Sequence, residues 1–225
     1  MTAEKVEQNK RFFHRSFSVH TVQNNYARVA GYYDIWSWLT ESKATKTALD
    51  LANIEDGETV LEVAVGTGIA FEKITGLNKH GNNVGLDLSP AMLAKARGRL
   101  AALNSIQAHL QIADAFHLPF KSGKFDLVIN QFMFDLLPEE EFPTILNEFR
   151  RVLTDSGRVV IANMAHGEEW FHRFWLWLAK QFPKLLTGCR PVSLGSYLTA
   201  AGFSNVQVVH VSQNTFPSEV LRAES

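Results

Sequence analysis

The chain has 225 residues, enough for one full-sized core, and its 22 basic residues nearly balance its 23 acidic ones. No overall field exists to hold a phosphate polymer, so nucleic acid is not expected as a substrate. Cys189 is the single cysteine, which excludes an intramolecular disulfide, and with no His/Cys grouping at zinc spacing no metal is expected.

The amino-terminal residues MTAEKVEQNKRFFHRSF lack the apolar core of a signal peptide. The greasiest stretch, 170–182, carries His172, Arg173 and Lys180 and falls short of the roughly 20 apolar residues of a membrane span. A cytoplasmic protein is expected, at most peripheral on a membrane through Phe12, Phe13 and Phe17 beside Lys10, Arg11 and Arg15. From about residue 43, helix and strand patterns alternate as in a parallel sheet with crossover helices. A helix near 43–53 ends in the turn Glu55-Asp56-Gly57, followed by a strand over 59–65, a glycine turn and a helix near 69–77. A strand over 83–88 leads into Ser89-Pro90, an N-cap with proline at the first helical position, and a helix to about 103. Strands over 108–112 and 125–130 come next, then a helix near 139–153, the turn Asp155-Ser156-Gly157 and a strand over 158–163. Residues 168–182 read as helical and aromatic, 193–201 as helical, and strands near 203–211 and 215–223 close the chain. Pro217 in the last of these suits a strand end, bulge or edge, so the pair is expected as an antiparallel hairpin at the sheet margin.

The chemistry concentrates in VLEVAVGTGIA, residues 60–70. Gly66 and Gly68 allow a tight turn and close backbone approach to a ligand, and Asp87, at the end of the next strand, can accept from ribose hydroxyls. A dinucleotide fingerprint needs a third small residue where this chain has Phe71. An adenosine compound without pyrophosphate fits better, and S-adenosylmethionine is the obvious one.

Residues 26–163 resemble the class I S-adenosylmethionine-dependent methyltransferases, in the group of the ubiquinone/menaquinone C-methyltransferases and the soluble phosphatidylethanolamine N-methyltransferases. The resemblance rests on residues 60–70, on IADAFHLPF at 112–120, on FDLVINQF at 125–132, on EFRRVLTDSGRVVIA at 148–162 and on YARVAGYYD at 26–34. It implies an α/β, doubly wound, Rossmann-like and mostly parallel seven-stranded sheet with an antiparallel C-terminal hairpin strand and a helical N-terminal cap. One domain is expected: cap 1–42, cofactor-binding core 43–165, aromatic helical segment 166–200 over the active site, and strand pair 201–225.

By resemblance, Glu62 helps hold the amino-acid end of the cofactor through the loop Ala64, Gly66, Thr67, Gly68. Asp87 takes the ribose diol, Leu88 and Met92 pack on the adenine, Asp114 receives its amino group and the Ala115 N–H reaches the ring. Asn130 and Gln131 lie beneath the sulfonium, and Tyr26 belongs to the cap that closes over it. Ala64 stands where the family has its first glycine, a change that a negative φ would absorb.

The acceptor is expected to be a small apolar or aromatic molecule, quinol-like or lipid-like, lined by Tyr33, Phe134, Trp170, Phe174 and Trp175. Trp170, Phe174 and Trp175 belong to an aromatic segment that covers more than one helical face, more than packing on a core requires. Asp135 and His166, just after the fourth and fifth strands, are candidates for taking up a proton. Asp135 stands where many family members have histidine. Two other classes stay open: a non-enzymatic module that binds S-adenosylmethionine, and a nicotinamide-dependent oxidoreductase. The oligomeric state is not legible.

Overall fold

The computed structural model of the chain describes residues 34, 37–101, 107–166 and 190–225. Seven strands, β1 (Thr59–Val63), β2 (Asn82–Asp87), β3 (Ala108–Ile112), β4 (Phe125–Gln131), β5 (Leu153–Met164), β6 (Ser204–Gln213) and β7 (Phe216–Glu224), form one sheet in the order β3-β2-β1-β4-β5-β7-β6. The first five are parallel, and β7 runs antiparallel to both β5 and β6. The strand order reverses at β1, so a crevice opens between the carboxyl ends of β1 and β4, where sheets of this kind bind ligands.

The central strands are apolar at successive positions because both faces are covered. On one face Leu61, Val63, Val128, Val159 and Ile161 pack with Phe142, Ile145, Leu146 and Phe149 of α4 (Phe142–Val152) and Leu198 of α5 (Gly195–Ala200). On the other, Val60, Leu127, Ile129 and Val160 meet Ala44, Ala48 and Ala52 of α1 (Ser42–Ala52), Phe71 and Ile74 of α2 (Ile69–Leu77), and Ala96 of α3 (Pro90–Ala101). The alanines of α1 recur every four residues, a narrow stripe of small side chains that brings the helix axis close to the sheet. Helix α3 starts as its sequence dictates: the Ser89 hydroxyl accepts from the Met92 N–H at 3.4 Å, and Pro90 opens the helix.

Two elements depart from the sequence reading. The turn expected at Asp155-Ser156-Gly157 lies inside β5, which begins at Leu153 directly after α4. Leu153 pairs with Phe125 and pairing resumes at Arg158 with Leu127, so the turn-forming residues are absorbed in an irregularity of the ladder. The closing strands do form a hairpin, but only β6 is an edge; β7 lies between β5 and β6. Pro217 sits one residue into β7, where its missing N–H costs little, and its carbonyl accepts from Ala165 at 3.0 Å.

Candidate active site

After β1 the chain makes a turn in which Ala64, Gly66 and Gly68 have φ of 60°, 57° and 85°. The negative φ that would absorb the Ala64 methyl is not adopted: the methyl is carried in the left-handed region, at a cost of about 1–2 kcal/mol. Gly68 is required twice over. Besides its φ, a Cβ there would come within 2.9 Å of the Ala96 backbone, so the glycine lets α3 pass against the turn. The close helix-to-strand approach that a third small residue would give is achieved from the strand side, because a Cβ on Gly85 would meet the Phe71 ring at 3.2 Å. Phe71 is fully buried over that glycine.

Asp87 braces the turn. Its Oδ2 accepts from the Gly66 N–H and its Oδ1 from the Ser89 N–H, both at 2.8 Å. Burial pushes its carboxyl up, and the amides of Ser89, Gly66 and Leu88 draw it part of the way back. Thr67, between the two glycines, donates its hydroxyl to Asp34 Oδ1 at 2.7 Å, while Arg99 of α3 donates to Asp34 Oδ2 at 2.8 Å and to the Thr67 carbonyl at 3.2 Å. Asp34 ends the YARVAGYYD stretch, so the chain ahead of the core is tied to the loop; the sequence motif is visible, the tie is not.

Glu62, on β1, is 2% exposed, and among the described residues its Oε2 has no hydrogen-bond partner. Burial, and then the charge of Asp87, raise its carboxyl well above the usual carboxylate range. Across the crevice, Asn130 donates Nδ2 to the Val63 carbonyl at 2.9 Å, which leaves its buried Oδ1 without a partner among the described residues. The adjacent Gln131 is half-buried, with Nε2 in the same condition. Past β3, Asp114 accepts from the Phe116 N–H at 3.0 Å, and half-buried Ala115 packs on the core. Arg151 of α4 pins this segment through the carbonyls of Leu118 and Phe120 at 3.0 and 2.7 Å. Leu88 is half-buried and Met92 buried.

The acceptor-side residues separate. Phe134 lies inside the core, its ring edge-on to Phe142 and Phe149 with centroids 5.1 and 6.0 Å away, so what it does here is anchor the one-turn helix Phe134–Leu136. Asp135, next in that turn, is fully buried, whereas His166 is exposed just beyond β5. Tyr26, Tyr33, Trp170, Phe174 and Trp175 lie outside the described residues, as does most of the expected cap 1–42 and of the expected aromatic segment 166–200. One residue that sequence reasoning passed over joins Asp135: Glu41, which precedes α1 and is 5% exposed. An acid at the head of a helix reads as solvated, and nothing in WLTESKATK signals otherwise.

A family model described as "Methyltransferase domain" matches residues 60–157. A demethylmenaquinone methyltransferase of Oceanobacillus iheyensis is 31% identical over 144 residues, covering 63% of this chain and 59% of its own. A phosphatidylethanolamine N-methyltransferase of Cereibacter sphaeroides is 35% identical over 144 residues, covering 63% of this chain and 67% of its own. The chain belongs to the class I S-adenosylmethionine-dependent methyltransferases. The fold agrees: phosphoethanolamine N-methyltransferase 2 of Haemonchus contortus, solved with phosphomonomethylethanolamine and S-adenosylhomocysteine, superposes with a TM-score of 0.63 at 16% identity, over 82% of this chain and 52% of that one. The match thus spans about three fifths of the Oceanobacillus relative's length. S-adenosylmethionine is the cofactor, and the residues of this methyltransferase fit it. The ligand carries cationic and N–H groups, and the crevice offers two buried acceptors, Glu62 Oε2 and Asn130 Oδ1, in want of them. No helix among the described residues is long and apolar enough to cross a membrane.

Proposed function

We propose that this methyltransferase moves a methyl group from S-adenosylmethionine to a small acceptor with an apolar or aromatic body, quinol-like or lipid-like. The observation that carries the cofactor part of this reading is the pair of buried acceptors, Glu62 Oε2 and Asn130 Oδ1, without a partner among the described residues, at the β1/β4 crevice beside the glycine turn. Glu62 and the loop Ala64, Gly66, Thr67, Gly68 hold the amino-acid end of the cofactor, and Asp87 takes the ribose diol with the acceptor capacity its amide bonds leave. Asp114 and the Ala115 N–H receive the adenine, with Leu88 and Met92 beside it, and Asn130 and Gln131 lie below the reacting end. The cofactor supplies a methyl group already activated on positive sulfur, which leaves the protein the work of alignment and exclusion of water. Asp135 and His166 are the groups on the acceptor side able to take up a proton.

The names of the Oceanobacillus and Cereibacter relatives support a quinol-like or lipid-like acceptor. The test begins with melting curves in S-adenosylmethionine, S-adenosylhomocysteine and NADH. The first two raise the melting point and NADH does not, because only a ligand of the folded state stabilises it. Methyl-labelled cofactor is then incubated with a metabolite panel and the labelled product is identified by mass spectrometry. Stabilisation by NADH alone overturns the cofactor assignment; binding with no labelled product from panel or cell extract points to a non-enzymatic module.

A further inference from the structure

We propose that Asp34 and Arg99 are positioning residues of the cofactor turn: together they clamp the Thr67 peptide between its two glycines and so set how well the turn holds the amino-acid end of S-adenosylmethionine. The inference rests on the reading above that the loop of Ala64, Gly66, Thr67 and Gly68 takes that end of the cofactor.

Thr67 is 2% exposed, and two different residues grip it. Its hydroxyl donates to Asp34 Oδ1 at 2.7 Å, and its carbonyl accepts from Arg99 Nε at 3.2 Å. Arg99 Nη2 donates to Asp34 Oδ2 at 2.8 Å, which closes a ring of three residues around one peptide. They come from three separate parts of the chain: Asp34 from ahead of α1, Thr67 from the turn after β1, and Arg99 from the last turn of α3. The guanidinium serves two acceptors with two nitrogens in one plane, which a lysine, with its single nitrogen, reaches only in part.

The turn needs such a clamp because Gly66 and Gly68, on either side of Thr67, carry the greatest backbone freedom. Asp87 holds Gly66 through its N–H, and Gly68 lies against Ala96 of α3. Arg99 stands three residues beyond Ala96, on the same face of that helix, so α3 supports the turn at two points. A turn ordered before the ligand arrives spares the complex that ordering entropy, and affinity rises without any contact between clamp and cofactor.

Arg99 acts through the turn and not on the cofactor. Its Nη1 faces Glu72 of α2 at 3.5 Å, so all three of its nitrogens have acceptors, and two carboxylates stand against its one charge. The cofactor carboxylate finds no uncommitted cation there.

Calorimetric titration with S-adenosylhomocysteine and with 5′-methylthioadenosine, which keeps the adenosine and sulfur but lacks the amino-acid end, separates positioning from stability. We expect Asp34→Asn and Arg99→Gln each to weaken S-adenosylhomocysteine binding roughly tenfold, and Arg99→Lys roughly threefold. Affinity for 5′-methylthioadenosine stays within about twofold, which also reports that the variants fold. The double variant loses no more than the weaker single one, because the two side chains act as one unit. Should Arg99→Gln fail to fold, Asp34→Asn and Arg99→Lys carry the same comparison. Unchanged S-adenosylhomocysteine affinity in a folded single variant, equal loss of both ligands in Asp34→Asn and Arg99→Lys, or additive losses in the double variant overturns the proposal. Unmodified protein that binds S-adenosylhomocysteine no more tightly than 5′-methylthioadenosine overturns the assignment of the amino-acid end to this turn, and the proposal with it.

Discussion

At the scale of single residues, Ala64 is one point, beside Phe132 and Thr215, at which this chain works against its own backbone. Its φ of 60° makes Ala64→Gly an expected gain: about 1–2 kcal/mol of strain is relieved, against about 0.4–1 kcal/mol of extra freedom given to the unfolded chain. A rise of the melting temperature by a few degrees is the expected result, since about 1 kcal/mol moves a protein of this size by roughly 2–4 °C. A fall in melting temperature would mean that the Ala64 methyl makes packing contacts worth more than the strain. Asp87→Ala acts on two quantities at once. It frees the amides of Gly66 and Ser89 and, on the ribose role proposed for Asp87, takes away two charge-assisted bonds at about 1.5–3 kcal/mol each, so affinity for S-adenosylhomocysteine should fall on the order of a hundredfold or more. Titration calorimetry measures this, and unchanged affinity would remove Asp87 from the ribose site. What could be read in advance at this scale was residue type at a motif position. The dihedral of Ala64 and the burial of Glu41 could not be read, because neighbours distant in sequence impose both.

Among elements, the contact between the glycine turn and α3 divides two glycines that look alike in sequence. Gly66→Ala puts its Cβ into open space at φ 57°, whereas Gly68→Ala at φ 85° drives it to 2.9 Å from the Ala96 backbone. The first should cost about 1–2 kcal/mol of left-handed strain. The second adds overpacking of about 1–3 kcal/mol, because a helix backbone must retreat. Chemical denaturation of both variants checks the order, and equal losses would show that α3 yields freely. Helices and parallel strands were legible because their signals are local: a cap at Ser89-Pro90 and apolar runs in β1 and β4. The start of β5 was not, since Asp155-Ser156-Gly157 has turn chemistry and only the ladder against β4 reveals that it is accommodated within a strand. Phe71 was read correctly as foreign to a dinucleotide turn, but the reason it fits, the bare Cα of Gly85 beneath it, belongs to another strand.

For the molecule as a whole, the buried acids set how stability responds to pH. Glu41 and Asp135 have carboxyls raised from 4.5 and 3.8 to about 7 and Glu62 is raised as well, each by burial first. The folded state then holds more protons than the unfolded one between about pH 4 and 7, so stability falls as pH rises through that window and levels off above the folded values. For Glu41 and Asp135 the slope is at most about 1.4 kcal/mol per pH unit per group. Melting curves of the ligand-free protein from pH 5 to 8 should descend, and Asp135→Asn should flatten the descent; a curve that rises over this range would show that these carboxyls are ionised when buried.

The sheet order carries a consequence for how the chain assembles. Strand β6 is synthesised before β7, yet its ladder runs only to β7, which in turn lies along β5. A chain emerging residue by residue can lay down β1 to β5 in sequence, but β6 has nowhere to dock until Phe216–Glu224 has appeared. Until then β5 presents its free edge, an apolar run that any other extended strand could match. The hairpin therefore closes last, and the interval before it closes is when the nascent chain is most exposed to pairing with its neighbours.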